Sequence, residues 1–348
     1  MSENEKIKVM VVNDSLVIRT LLSEIITSNP KMKVSDTARD GTEALARLKR
    51  NRPDVILVDL EMPNMDGLTF IQNVVKDDHL IPIIVVSSYG QEGAKVIFDS
   101  LEVGALDFIA LPLNGEVDRI QFKENLISKI EIAVKSNPEV LIPQKILSIK
   151  PAKKQKEASG TASKIVVIGA STGGPRTLYE IISKLPADLP AGLLIVQHMP
   201  SSFTGKFAQR LDEISNLQIT EAKEGDLIQE GKGLVAPGDY HMLVKPERCI
   251  NLNQTDKRFG VRPAVNMSMI TASEVYGANT IGVLLTGMGQ DGAFGMKMIK
   301  KRGGLTIAQD ESSSVVFGMA KAANELEAVD KMVPLDQISD EIVKAVCA

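Results

Sequence analysis

Two cysteines, three histidines and no tryptophan are all that this chain of 348 residues holds of those types. Cys249 and Cys347 are far apart and form no C-x-x-C pair. That excludes a disulfide framework and a cysteine-ligated metal, and it suits a reducing cytoplasm. No apolar run approaches the roughly 18–20 residues that span a bilayer, and the opening MSENEKIKVMVV is too charged for a signal peptide. Neither charge sign dominates: 40 basic against 44 acidic residues leave a net −4, which gives no general affinity for nucleic acid. Internal repeats are absent, and hydrophobic residues make up 44%, the proportion of a globular chain with room for about two domains of roughly 100–200 residues.

Apolar runs and amphipathic stretches alternate through the first half. Strands are expected at 7–12, 32–38, 55–60, 82–88 and 105–111, with helical spacing between them, as in SLVIRTLLSEIITS. Five such rounds predict a parallel sheet covered on both faces by helices. The pattern stops after a helix-like stretch at 116–134. Residues 135–163 hold three prolines and six lysines and read as a linker from Lys150 onward. A second α/β domain opens at Lys164.

Open parallel sheets bind ligands beyond the carboxyl ends of their strands. In the first half, Asp14 follows the first strand and Asp59 ends the third, so the two carboxylates can converge on Mg²⁺ or receive a phosphoryl group. Ser87, ending the fourth strand, can offer a hydroxyl to the same place. The competing reading makes Asp14 a helix N-cap and Asp59 a turn residue.

In the second half, GASTGGP (169–175) fits G-x-S-x-G and sets Ser171 on a tight turn between strand and helix. The same glycines could cradle a phosphate, although G-x-G-x-x-G and the P-loop Gly-Lys-Ser/Thr are both missing. His198 follows the apolar run AGLLIV, and Asp291 sits in the glycine-rich turn after TIGVLL. Serine, histidine and aspartate thus each stand past the carboxyl end of an expected strand. His198 would be the general base, Asp291 its orienting carboxylate, and the Thr172 and Met288 amides the oxyanion donors. His241, in an expected hairpin, competes as base, and His79 reads as a solvated loop residue. A binding module without catalysis remains the rival, and a DNA-binding regulator is disfavoured by the lack of a helix-turn-helix pattern.

Resemblance to known families adds to this. "VVNDS", "VDLEMPNMDG", "VVSSYG" and "ALDFIALP" resemble, in order and spacing, the receiver domain of two-component response regulators. The resemblance implies that Asp59 is the phosphoacceptor, that Asp14, Asp59 and the Glu61 carbonyl ligate Mg²⁺, and that Ser87 is the switch hydroxyl. Two positions depart from it: Asn13 where a second acid is usual, and Leu111 where a lysine is usual. "IGASTGGP", "VQHMP", "VAPGDYH", "VRPAV", "LLTGMGQDGA" and "VVFGM" resemble the catalytic domain of the chemotaxis protein-glutamate methylesterases, the CheB family. Asn266 and Ala320 depart from that family's aspartate and proline.

The resemblance implies a flavodoxin-like receiver at 1–125, a linking segment at 126–163 that includes the end of the last receiver helix, and a Rossmann-like catalytic domain at 164–348. It implies a Ser171–His198–Asp291 triad acting without a cofactor on γ-glutamyl methyl esters of chemotaxis receptors, with deamidation of receptor glutamines. It also implies a chemotaxis histidine kinase as phosphodonor, no nucleic-acid partner, no membrane insertion and a cytoplasmic location. Asn13 and Leu111 predict weakened phosphorylation control.

Overall fold

The computed structural model describes residues 6–77, 81–87, 94–111, 116–137, 140 and 160–348. The chain divides into two compact units, Met1–Gln144 and Lys145–Ala348. Most of the expected linker, and His79, lie outside the described residues.

The first unit alternates strand and helix: β1 (Ile7–Val12), α1 (Leu16–Thr27), β2 (Met32–Ala38), α2 (Gly41–Leu48), β3 (Val55–Val58), α3 (Gly67–Lys76), β4 (Ile83–Ser87), α4 (Ala94–Glu102), β5 (Asp107–Ala110) and α5 (Glu116–Lys135). The sheet is wholly parallel, in the order β2-β1-β3-β4-β5. Every residue of VILV in β3 and IIVVS in β4 is buried, as helices on both faces require. Each of the first three helices starts where a side chain takes an orphan amide. Ser15 caps α1, Asp40 caps α2 through Glu43 N at 2.8 Å, and Asp66 caps α3 through Thr69 N at 2.7 Å. The cap of α1 is therefore Ser15 and not Asp14, which leaves the Asp14 carboxylate exposed at the strand end.

The second unit runs β6 (Ile165–Ala170), α6 (Gly174–Lys184), β7 (Gly192–Gln197), α7 (Ser201–Ile214), β8 (Gln218–Glu221), β9 (Lys232–Val235), β10 (His241–Val244), β11 (Ile250–Asn253), α8 (Val265–Tyr276), β12 (Thr280–Leu284), α9 (Ala293–Lys301), β13 (Leu305–Gln309), α10 (Met319–Glu325), β14 (Lys331–Val333) and α11 (Leu335–Cys347). Seven strands form a parallel sheet, β14-β13-β12-β6-β7-β9-β8. The pair β10–β11 is an antiparallel hairpin beside it. Strands β6, β7 and β12 are buried along their whole length. After β6 the chain builds outward through β7, then returns to place β12 on the other side of β6. Strand order thus reverses between β6 and β12, the place where a sheet of this kind opens a crevice. Among the described residues no helix is long and apolar enough to cross a membrane.

Candidate active site

The turn after β6 is shaped by close approaches on several sides. Gly173 has φ +76°, and a Cβ there would come within 2.7 Å of the Val315 side chain. A Cβ on Gly174 would lie 2.1 Å from Gln197 Oε1. Pro175 then sits in the first turn of α6, where its missing N–H leaves nothing unpaired. The small residues are needed by the backbone itself, which leaves the half-exposed Ser171 as the turn's chemical group.

Neighbouring strand ends hold the turn from both sides. Ser171 N donates to Thr286 O at 3.0 Å, and the Thr286 hydroxyl donates to Thr172 O at 3.0 Å. His198 N donates to Ala170 O at 3.2 Å, which sets His198 beside the serine turn. The His198 ring donates through Nε2 to Asp291 Oδ2 at 2.9 Å. Its other nitrogen, Nδ1, is then the one left with a lone pair. This reverses the ring orientation of the serine-protease template, in which the aspartate takes Nδ1.

Asp291 is 2% exposed and accepts three further hydrogen bonds, all from backbone amides. Val265 N reaches Oδ2 at 2.6 Å, while Asn266 N and Gly292 N each reach Oδ1 at 3.0 Å. Val265 and Asn266 open α8, so the carboxylate sits on that helix's N-terminus, where unpaired amides and the helix dipole favour an anion. The helix that follows Asp291 in sequence, α9, is capped by Gly292 without a side-chain bond. Asp291 therefore serves a helix that precedes it in the chain.

Asn266 Oδ1 in turn accepts Gly295 N at 2.6 Å, tying α8 to the first turn of α9. Gly169 lets α8 approach: a Cβ there would lie 2.3 Å from Val265 Cγ1. The other departure from the family pattern, Ala320, is buried in α10.

The peptides that precede Thr172 and Met288 are both anchored through their carbonyls. The Ser171 carbonyl accepts from Gly174 N at 2.8 Å and from Gln197 Nε2 at 2.9 Å. The Gly287 carbonyl accepts from Gly318 N at 3.0 Å and Met319 N at 2.9 Å. In a planar trans peptide the C=O and the next N–H point in opposite directions. Anchoring the two carbonyls therefore aims the Thr172 and Met288 amides the other way. Gly287 lies against Ser171, since a Cβ there would meet Ser171 Cβ at 2.7 Å. Serine, imidazole, carboxylate and two aimed amides make a set suited to acyl transfer.

The competing base is otherwise engaged. His241 is fully buried in the hairpin, accepts Ala264 N on Nδ1 at 3.2 Å, and donates from Nε2 to Asp256 O at 3.1 Å. Both ring nitrogens serve the backbone. Sequence reasoning passed over Gln197 and Thr286, two of the side chains that grip the turn. The available signal was polarity at the end of an apolar run, LLIVQ and VLLT respectively.

At the end of the first sheet, Asp59 is 9% exposed. Burial pushes its carboxyl up to about 6, assisted by Asp14 and Glu61 and opposed by the Glu61 and Leu60 amides. Oδ1 accepts Leu60 N at 2.7 Å and Glu61 N at 3.3 Å. Oδ2 accepts the side-chain amide of Asn13 at 2.7 Å. An acid at position 13 could not donate this bond while ionised. Ser87 is fully buried at the end of β4, and its carbonyl accepts Leu111 N at 2.9 Å. Leu111 itself is buried and brings no ammonium to the pocket. Among the described residues no three His, Cys, Asp or Glu side chains gather as a metal site. A cation here would have two carboxylates, a carbonyl and water.

Two open parallel sheets in one chain, one with an acidic pocket at its switch point and the other with a serine, a histidine and an aspartate, define a receiver-bearing α/β enzyme of hydrolytic type. The family model "CheB methylesterase" matches residues 166–342, and "Response regulator receiver domain" matches residues 9–117. The chain belongs to the CheB methylesterase family. A curated relative from Pyrococcus horikoshii, named protein-glutamate methylesterase/protein-glutamine glutaminase, is 47% identical over 98% of this chain and 94% of its own. One of the same name from Symbiobacterium thermophilum is 41% identical over 98% and 97%. Among solved structures, the Thermotoga maritima CheB methylesterase catalytic domain is 43% identical with a TM-score of 0.51, over 52% of this chain and 97% of that one.

Proposed function

We propose that this protein is a protein-glutamate methylesterase that hydrolyses γ-glutamyl methyl esters on methyl-accepting chemotaxis receptors and deamidates receptor glutamines. The observation that carries the reading is the 2.9 Å bond from His198 to Asp291 beside the Ser171 turn. Ser171 Oγ attacks the ester carbonyl as His198 takes its proton, and the Thr172 and Met288 amides hold the oxyanion. The intermediate collapses by expelling methoxide, to which His198 returns the proton, so methanol leaves. Water, activated by the same imidazole, then cleaves the acyl-enzyme to glutamate. A glutamine carboxamide passes through the same steps with ammonia as the leaving group.

The receiver would regulate this activity through phosphorylation of Asp59 by a chemotaxis histidine kinase. Asp14, Asp59 and the Glu61 carbonyl are hard oxygen donors of the kind Mg²⁺ prefers, so the pocket fits that ion with one negative charge fewer than an acid at position 13 would give. Bound Mg²⁺ would supply charge neutralisation for an incoming phosphoryl group. Replacing the usual acid and lysine by Asn13 and Leu111 weakens the resulting control, since a phosphoryl group can shift a conformational equilibrium only by its differential stabilisation of one state. The two free cysteines suit a reducing cytoplasm.

Methanol release from methylated receptor membranes tests this reading. Wild type and Ser171→Ala are compared, each with and without a small phosphodonor. Loss of the nucleophile is expected to cut turnover by roughly 10⁴-fold or more, with little stimulation of wild type by the donor. Equal inertness of both proteins on an authentic substrate would return the GASTGGP turn to a binding or packing role.

A further inference from the structure

We infer that Gln197 is a positioning residue for the oxyanion hole and ties the nucleophile to its base; this rests on the esterase reading above. Gln197 ends β7 and is 2% exposed. Its side-chain amide nitrogen donates to Ser171 O at 2.9 Å and to His198 O at 3.1 Å. One NH₂ group thus grips the carbonyls of both residues that exchange the proton. Both partners are acceptors, so only the nitrogen of the carboxamide can face them.

The grip on Ser171 O has a directional consequence. That carbonyl and the Thr172 N–H belong to one trans peptide and point opposite ways. Fixing the carbonyl fixes the direction of the amide that would meet the developing negative charge. The peptide before Met288 is anchored by two backbone amides alone, Gly318 N and Met319 N. The peptide before Thr172 takes half its anchorage from a side chain, so this half of the hole can be loosened by a point substitution.

Two further observations show that the site is built around this carboxamide. Gln197 Oε1 is buried without a hydrogen-bond partner. Leaving a buried acceptor unpaired is unfavourable, so the residue is held for its two donors. Position 174 also makes room for it, since any Cβ there would come within 2.1 Å of that same oxygen. The second glycine of the GG pair and the glutamine of VQH thus form one unit, although they are far apart in sequence.

Full-length wild type, Gln197→Met and Gln197→Glu test the assignment. Gln197→Met keeps the bulk without donors, and Gln197→Glu keeps the shape while turning an acceptor toward two carbonyls. The readouts are kcat and KM for methanol release, the rate at which a fluorophosphonate labels Ser171, and thermal melting. Removing an oxyanion donor lowers kcat by about 10²–10³-fold, and loosening one is expected to lower it by roughly 10–10²-fold. KM should stay within about twofold, because only interactions stronger in the transition state are lost. Phosphonylation should slow by a similar factor to kcat, because its tetrahedral oxyanion uses the same amides.

If either variant melts like wild type and keeps both rates within about threefold, the inference is wrong. It is equally wrong if KM rises while kcat holds. If both variants lose rate only in proportion to lost folded protein, Gln197 is a packing residue and the inference also fails. A wild type inert to both ester and phosphonate overturns the esterase reading itself, and this inference with it.

Discussion

The His198 ring meets Asp291 through Nε2, and the same carboxylate holds the first two amides of α8. Asp291 therefore holds the His198 ring and anchors a helix at once. In Asp291→Asn one oxygen becomes an NH₂ that must face either the imidazole or amides that are themselves donors. The tautomer with a free basic Nδ1 is then no longer selected. Turnover is expected to fall by about 10⁴-fold, as when the orienting aspartate of a triad is neutralised. Asp291→Ala should in addition lower stability, by about 1–3 kcal/mol for each buried donor left unpaired. Steady-state methanol release and thermal melting separate the two effects. An Asp291→Asn enzyme within tenfold of wild type would show that Asp291 is structural only.

The receiver pocket yields a different prediction. Asn13 donates its amide to Asp59 Oδ2 at 2.7 Å, so the chain quiets its own buried carboxylate with a neutral donor. Asn13→Asp replaces that donor with a second anion. Without metal, the variant should melt at a lower temperature than wild type, because like charges then face each other in a buried pocket. With Mg²⁺ the order should reverse, and Mg²⁺ affinity should rise by roughly tenfold, the scale on which groups next to a metal's ligands act. Calorimetric titration of Mg²⁺ and mass-spectrometric detection of phospho-Asp59 are the checks. Unchanged Mg²⁺ affinity would mean that position 13 does not tune the site.

The first sheet, and the central strands β6, β7 and β12 of the second, were legible in the sequence because buried parallel strands are written largely as apolar runs. The expected bounds of β1 and β2, 7–12 and 32–38, coincide with those of the structure. Strands β8, β9, β13 and β14 escaped the reading. QITE, KGLV and KMV are too brief and mixed to stand out from loops. Ser171, His198 and Asp291 could be placed at strand ends, since strand ends follow from apolar runs. What holds them could not be read. Asp291 is seated on the start of α8, 26 residues earlier, and Gln197 reaches back 26 residues to Ser171. Such contacts depend on which strands become neighbours, and the sequence does not print strand order.

His241 carries a pH dependence whose sign can be worked out. Burial holds its imidazole below the ordinary value of 6.5, with Arg262 and Arg258 acting in the same direction and the Asp256 carbonyl and Asp291 against it. Between the folded and unfolded values the unfolded chain binds more protons, so stability rises with pH across that window. The contribution is complete above about 6.5 and is lost as pH falls through the folded value. Protonation also removes the lone pair on Nδ1 that accepts Ala264 N. Ala264 is the residue before Val265, whose amide binds Asp291. Acid should therefore loosen the start of α8 from the carboxylate as well as destabilise the unit. Asp59, raised to about 6, acts with the opposite sign in the same window, so the expected signature is a wild-type melting temperature that falls relative to that of a His241 variant between about pH 7 and pH 5. His241→Gln offers an acceptor and a donor without a titrating group, and should remove this share of the slope while melting lower than wild type at pH 8. Equal slopes for the two proteins would assign the dependence to other groups.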